Sequence, residues 1–466
     1  MPVSNKTTRV AVLADSDTRW KWGSLTAKRL VRTTAAVDNP ADFHLDGYLL
    51  RGRATPTPRQ LEEVGVRADT MREVTAIEFL GHVGDVGNVP GARNAPGDEA
   101  PYDVIVLALV GGAVQAVLHG LARAFDGAPR RPVVVTGYVG VVYEKLADGL
   151  LLRHGADVVL ANSRQDAERF REVYEGVGAD ASGVVEAALP FLGGAPYAPK
   201  DPADPAAPAT PYTVVFAAQP SVPEKRADRS YLLSRLIRHA RRHPEREVLL
   251  KLRSRPGEHT THIEELPYQK LVRGEDAPPN FRLVYGHMGE VLDRTDLLVT
   301  VSSTAALEAL HRSIPTAVLT DLGVREALGN HAFIGSGCLA SWDQLDAGHS
   351  PVPDPGWVAR QGVAADGAYE TAFDAARSRV AELTERARDG DLPPIEPYYT
   401  QVTAPGYLPG ILARHHLGPD ATPLPGAPAA DREPGPVRQA VRSAARGAYR
   451  HGVQRVAPVI RRMGEL

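Results

Sequence analysis

Residues 297–321, LLVTVSSTAALEALHRSIPTAVLTD, read as strand, hydroxyl-rich turn, helix, tight turn and strand in a single run. Leu297 to Val301 is short, apolar and partly β-branched, the pattern of a buried parallel strand, and Ser302, Ser303 and Thr304 follow where a helix has to start. A helix begun there turns unpaired backbone N–H groups toward a polar site, and three hydroxyls beside those amides suit an anion such as a phosphate. Glu308 follows one turn later and shares that face. Ser and Thr are also the ordinary way to cap a helix, so the turn by itself leaves both readings open.

The same alternation runs through the rest of the chain. Strands are expected at 9–15, 44–50, 73–80, 102–110, 133–136 and 157–162, with helical patterns at about 22–32, 58–69, 112–126 and 163–174. Residues 193–211, GGAPYAPKDPADPAAPATP, contain six prolines and no apolar periodicity, and read as a linker. Beyond it strands are expected at 212–218, 247–252 and 281–285, with helices at 229–242 and near 288–294. Strands alternating with helices imply βαβ units and parallel sheets. The expected organisation is therefore two α/β domains, 1–192 and 212–390, then an irregular Pro-rich segment, 391–436, and a basic helix or tail, 437–466. Ligands of open parallel sheets lie beyond the carboxyl ends of the strands, so the loops after the strands are where chemistry is to be sought.

Composition narrows the function. The 466 residues exceed one ordinary hydrophobic core, and 43% hydrophobic content suits folded domains. A net charge of −3 from 53 basic and 56 acidic residues offers no global field for nucleic acid, so no nucleic-acid partner is expected. The single cysteine, Cys338, has no intrachain partner and no metal-ligand cluster in its neighbourhood, which points to a reducing, cytoplasmic setting and no metal. The longest apolar run, Val104 to Val110, is far short of the ~20 residues that span a bilayer as a helix. Arg438, Arg442, Arg446 and Arg450 recur at four-residue spacing in the C-terminal tail, which reads either as a contact for an anionic membrane surface or as a solvated tail.

Several loops carry chemical potential. The first strand ends in ADSDTRWKW, which sets Asp15, Asp17, Lys21, Trp20 and Trp22 at one edge. The carboxylates could serve as a general base and the indoles as faces for a sugar or a base, although either Asp could equally cap the next helix. GYVGVVYEK, from Gly137, offers Glu144 as a further base. In the second half the loop QPSVPEKR brings Gln219 and Lys225 above the sheet. KLRSRP sets Lys251, Arg253 and Arg255 at alternate positions, which share a face if the segment is extended. A phosphate would satisfy such a trio, and salt bridges in a solvated loop are the plainer alternative. The chain has no GxxxxGK[ST], HExxH, paired CxxC, GxSxG or first-strand GxGxxG motif.

The run SSTAALEALHRSIPTAVLTD resembles the Ser/Thr turn, helix glutamate and "I-P" ending of two-domain, B-type glycosyltransferases, with Ser313 where glycine is usual. KLRSRP resembles the K-x-R-P element of bacterial capsule, sialic-acid-type and teichoic-acid-type transferases, without the histidine of the K-x-H-P form. ADSDTRWKW and VVFAAQPSVPEKR are similar to the opening strands of an actinobacterial family of glycosyltransferases. This resemblance covers residues 9–340. It implies an α/β fold of two facing Rossmann-like domains with a central cleft, and metal-independent transfer from a nucleotide-sugar donor to a glycan or lipid-linked acceptor without a cofactor. It also implies that Lys251, Arg253 or Arg255 with Ser302 to Thr304 hold the leaving phosphate, that Glu308 holds the ribose, and that Asp17, or Asp15 or Glu144, acts as base. A CMP-linked acidic sugar is the suggested donor. The alternatives are a CDP-polyol phosphotransferase of the teichoic-acid type, a nucleotide-sugar 2-epimerase, or a non-catalytic nucleotide-sugar-binding partner.

Overall fold

The computed structural model describes residues 7–31, 43–52, 54–84, 102–140, 145–199, 211–255, 266–363 and 368–426. The chain divides into two compact units, residues 1–191 with 369–432, and residues 192–368 with 433–466.

The first unit is built on seven strands: β1 (Thr8–Ala14), β2 (Phe43–Leu50), β3 (Thr70–Val74), β4 (Val104–Ala108), β5 (Val133–Gly137), β6 (Val158–Ala161) and β7 (Val184–Glu186). Every pairing is parallel and the order across the sheet is β3-β2-β1-β4-β5-β6-β7. The order reverses between β1 and β4, the switch point at which a doubly wound sheet opens a crevice. Helices α1 (Asp17–Val31), α2 (Pro58–Val64), α3 (Ala76–Gly84), α4 (Gly111–Ala124), α5 (Leu146–Leu151) and α6 (Arg164–Gly176) connect the strands. Central strands are apolar along their whole length because helices cover both faces: all of β4 and β5 is buried. At Gly23 a Cβ would lie 2.8 Å from both Ala108 Cβ and Val12 Cγ1, so the missing side chain is what lets α1 lie directly on β1 and β4.

The strand expected at 73–80 is corrected by the structure. β3 ends at Val74 and α3 starts at Ala76, because Ala76, Phe79 and Val83 repeat at helical spacing and are all buried. Thr75 and Glu78 cap that start reciprocally: the Glu78 amide donates to Thr75 Oγ1 at 3.2 Å and the Thr75 amide to Glu78 Oε2 at 2.6 Å. The helix expected over 58–69 stops at Val64, where Gly65 turns into the left-handed region at φ 72°.

The second unit carries β8 (Thr213–Ala217), β9 (Glu247–Lys251), β10 (Phe281–Val284), β11 (Leu297–Thr300), β12 (Thr316–Leu319) and β13 (Leu339–Ala340), again all parallel, in the order β10-β9-β8-β11-β12-β13. Its switch point lies between β8 and β11. Its helices are α7 (Arg226–Arg242), α8 (Tyr268–Leu271), α9 (Met288–Leu292), α10 (Ala305–His311), α11 (Trp342–Asp346) and α12 (Pro355–Arg360). Both units are thus Rossmann-like.

The chain then returns. After α13 (Ala368–Thr371), helices α14 (Asp374–Asp389) and α15 (Leu408–Ala413) belong to the first unit, so the division differs from the expected single break at the Pro-rich segment. Buried ion pairing and backbone recognition hold this return in place. Arg131 makes a two-pronged pair with Asp157 at 2.8 and 2.7 Å and also donates to the Pro393 carbonyl at 2.6 Å. Leu408, Ile411, Leu412 and Leu417 pack with Ala116 of α4 and Leu152, each such side chain contributing about 1.5–3 kcal/mol when fully buried.

Candidate functional site

At the switch point of the second unit, the loops after β8 and β11 are joined by one side chain. Gln219 Oε1 accepts from the Ser302 amide at 3.0 Å and from Ser302 Oγ at 3.2 Å. Ser302 is buried and its hydroxyl also donates to the Leu328 carbonyl at 2.6 Å, while the Ser303 amide donates to Thr300 Oγ1 at 3.2 Å. Ser303 Oγ in turn accepts from the Ala305 amide at 3.2 Å. The expectation of three hydroxyls and free amides aimed outward is therefore revised: Ser302 is spent on tying the edge together, and Ser303 and Thr304 are the half-buried members of the turn. Glu308 sits in α10 and is buried.

The loop after β8 owes its shape to Arg229, which sequence reasoning passed over. Its guanidinium is fully buried, lies over the Tyr268 ring at 4.2 Å, and donates to the carbonyls of Gln219, Pro220 and Pro223 at 3.2, 3.1 and 3.3 Å. An arginine on the helix α7 gives no sequence signal for this, since the carbonyls it meets become neighbours only when the loop folds over it. Lys225 stands exposed as the N-cap of α7.

The basic trio is arranged differently from the expected extended face. β9 ends at Lys251, whose ammonium is buried and donates to the Leu252 carbonyl at 2.9 Å, whereas Arg253 and Arg255 lie beyond the strand, Arg255 over the Tyr285 ring at 5.8 Å. Because β9 is next to β8 in the sheet, Lys251 still belongs to the edge that holds Gln219, and the Ala218 amide donates to the Lys251 carbonyl at 3.1 Å.

The first unit has a comparable construction at its own switch point. Asp15, at the end of β1, accepts from Arg19 at 2.9 Å through Oδ1 and from the Val110 amide, beyond β4, at 2.9 Å through Oδ2. At the start of α1 the Ser16 hydroxyl accepts from the Arg19 amide at 3.4 Å and its carbonyl from the Trp20 amide at 2.8 Å, while Asp17 occupies the first turn of the helix. The two indoles expected to offer faces to a ligand are buried instead, Trp20 at 0% and Trp22 at 1% exposure, with Trp22 Nε1 donating to Asn162 at 3.4 Å. Asn162 donates on to the Tyr138 carbonyl at 2.7 Å, fixing the loop after β5. Glu144 lies outside the described residues, as do Arg438, Arg442, Arg446 and Arg450 of the basic tail.

The returning segment also carries a histidine that the sequence did not single out. His415 follows α15, which packs on α4, and Ile411 lies against the first turn of α4 at Gly112. Burial lowers the pKa of His415, Arg414 lowers it further, and the negative charge of Asp15 opposes both.

Among the described residues one cluster could hold a metal ion, His239, His243 and Asp346. It lies at the C-terminal end of α7, away from the carboxyl edge at which that helix begins. Asp346 already meets His239 Nδ1 at 2.7 Å and Arg235 at 3.3 Å, and Arg246 lies 3.4 Å from the other nitrogen of His239, so cations occupy the surroundings a dication would need. No helix among the described residues is long and apolar enough to cross a membrane.

Residues 10–383 match the family described as "Putative glycosyltransferase (DUF6716)". No curated protein matches the sequence. Similar solved structures include the UDP-GlcNAc 2-epimerase from Neisseria meningitidis bound to UDP-GlcNAc, at 10% identity and a TM-score of 0.46, covering 81% of this chain and 100% of that one. Another is the glycosyltransferase SnogD from Streptomyces nogalater, at 15% identity and a TM-score of 0.36, covering 82% and 98%.

Proposed function

This chain belongs to that glycosyltransferase family, and we propose that it moves a sugar from a nucleotide-activated donor to a hydroxyl of a glycan or lipid-linked acceptor. The donor's phosphates lie at the carboxyl edge of the second unit, over Lys251, Ser303 and Thr304, with Arg253, Arg255 and Lys225 adding positive charge and Glu308 taking the ribose hydroxyls. The observation that carries this reading is the Gln219–Ser302 tie, which fixes the loops after β8 and β11 beside Lys251 before any ligand arrives. Groups held in place in advance stabilise a developing charge without reorganisation, and here that charge is the phosphate oxygen released as the glycosidic bond breaks. Cationic side chains supply that stabilisation in this reading, so transfer is expected to persist in chelator.

The acceptor side is assigned to the β1–β4 edge of the first unit, where Asp15 and Asp17 stand. The narrower reading of the donor is a CMP-linked acidic sugar, from the KLRSRP and hydroxyl-turn elements, and the basic C-terminal tail is assigned to an anionic membrane surface.

A thermal-shift series with CMP, CDP, UDP, UDP-GlcNAc and CMP-sialic acid tests the reading, because a ligand that binds the native state raises its melting temperature by mass action. Stabilisation by one nucleotide and its sugar supports it and names the donor class. No shift with any of them at millimolar concentration overturns it, and a change of sugar configuration without acceptor makes the protein an epimerase.

A further inference from the structure

We propose that two tyrosines of the returning segment, Tyr399 and Tyr407, form with Asp148 a subsite for a neutral sugar ring of the acceptor glycan. The inference rests on the glycosyl-transfer reading and names the class of acceptor within it.

The subsite joins pieces that meet only in the folded first unit. Asp148 lies in the first turn of α5, and that helix is pinned over the carboxyl ends of two neighbouring strands. Arg153, just beyond α5, donates to the Leu109 carbonyl after β4 at 3.3 Å and to the Gly137 carbonyl at the end of β5 at 3.0 Å. It also holds the Gly149 carbonyl at 2.7 Å, and a Cβ at Gly149 would lie 2.0 Å from the Tyr138 hydroxyl, so this turn of α5 sits directly on the loop after β5. The returning segment is fastened to α4, the helix after β4: the Tyr399 carbonyl meets His119 Nε2 at 2.9 Å and accepts from Gln115 at 3.3 Å. Asp148 and the tyrosines therefore stand at the β4–β5 end of the same edge to which Asp15 is tied through the Val110 amide.

Two phenols converge there on one carboxylate. Tyr399 donates to Asp148 Oδ1 at 2.9 Å and Tyr407 to Asp148 Oδ2 at 3.1 Å. The rings of Tyr398, Tyr399 and Tyr407 stand edge to face in series, with centroids 5.3 Å apart at each step. Tyr407 is 40% exposed. The turn between the tyrosines is closed reciprocally, the Thr400 amide donating to Thr403 Oγ1 at 2.9 Å and the Thr403 amide to Thr400 Oγ1 at 3.0 Å.

This chemistry selects its ligand. With both phenolic protons directed at Asp148, the surface offers aromatic area, phenolic lone pairs and the remaining lone pairs of the carboxylate. Such a surface suits a ligand that brings C–H faces and O–H donors, which is what a sugar ring presents, and its own negative charge disfavours an anion. Burial and the Asp148 charge push both phenols above their ordinary value, so they remain donors at neutral pH. Arg414, exposed after α15, is the cation that acts on Tyr407, and solvent screens it.

The test is saturation-transfer NMR on the full chain, irradiating aromatic protons, with cellotriose, maltotriose, chitotriose and 3′-sialyllactose at about 10 mM, a concentration that detects millimolar affinity. At least one neutral trisaccharide should receive saturation at its ring protons and bind more tightly than the sialylated one. Tyr407→Ala should weaken that binding by about three- to tenfold and Tyr407→Phe should retain most of it, because the ring rather than the hydroxyl supplies the contact area. The melting shift given by nucleotide should be the same in both variants. Absence of transfer to every neutral probe, with and without nucleotide, overturns the proposal, as does a preference for the acidic probe or binding untouched by Tyr407→Ala. A concentration-dependent dimer that Tyr407→Ala abolishes also overturns it, by giving the surface to a second copy of the chain. Sugar binding without any nucleotide shift keeps the subsite and defeats the glycosyl-transfer reading, whereas a nucleotide shift without sugar binding does the reverse.

Discussion

Gln219 and Ser302, 83 residues apart in sequence, are joined by two hydrogen bonds at 3.0 and 3.2 Å that close the switch point of the second sheet. The glutamine oxygen takes the amide a ligand phosphate could otherwise have taken, and in return the turn carrying Ser303 and Thr304 is held against the end of β8. We expect Gln219→Ala to cost about 1 kcal/mol of stability for the orphaned amide and to weaken nucleotide binding more than that loss alone explains. Urea unfolding and calorimetric titration on the same variant separate the two effects. Unchanged affinity would show that the tie serves folding only.

Lys251→Ala combined with Ser303→Ala should weaken nucleotide binding by at least about tenfold, since a charge-assisted hydrogen bond contributes roughly twice a neutral one. The circular dichroism spectrum should stay that of the parent. An unaltered dissociation constant in the folded double variant would remove the phosphate from this edge.

A polar cluster at β2 predicts a pH response. Burial alone would raise the pKa of Asp46, but hydrogen bonds from Thr70 and Tyr102 and the nearby His44 outweigh it and hold the carboxyl below its ordinary value. A carboxylate with a depressed folded pKa contributes stability that is present above the unfolded value, about 3.9, and is lost as pH falls through the folded value. Asp46→Asn should therefore be less stable than the parent at pH 7 and converge toward it in acid. Parallel stability curves across pH 7 to 3 would contradict the assignment.

His239 should act in a window nearer neutrality. Burial is the main cause that lowers its pKa, against the raising influence of Asp346, so the native state resists protonation that the unfolded chain accepts below about 6.5. Stability then declines as pH drops from the unfolded value toward the lowered folded one. His239→Gln keeps a donor toward Asp346 and should flatten that decline, as measured by melting temperature between pH 7 and 5. A decline as steep as the parent's would place the titrating group elsewhere.

Parts of the site were legible because they are local. The hydroxyl turn after β11 and the lysine at the end of β9 announce themselves through the change from period-two or continuous apolar character to polar residues at a strand's end. Arg229 was not legible, because its surroundings come from a loop that takes shape only in the folded unit. Arg229 reads carbonyls of a loop that folds over it. The buried state of Trp20 and Trp22 was misread for the same reason: aromatic residues after a strand can face either the site or the core, and only the packing of α1 on the sheet chooses.

The sequence by itself determined the alternation of strand and helix, hence parallel sheets with their chemistry at the carboxyl ends, since hydrophobic period and chain punctuation act within about a dozen residues. The tertiary structure alone decided that β1 neighbours β4 and β8 neighbours β11, and that residues 369–426 return to the first unit. Strand order and the docking of α14 and α15 depend on packing summed over many distant contacts, each too small to leave a mark on the residues that make it.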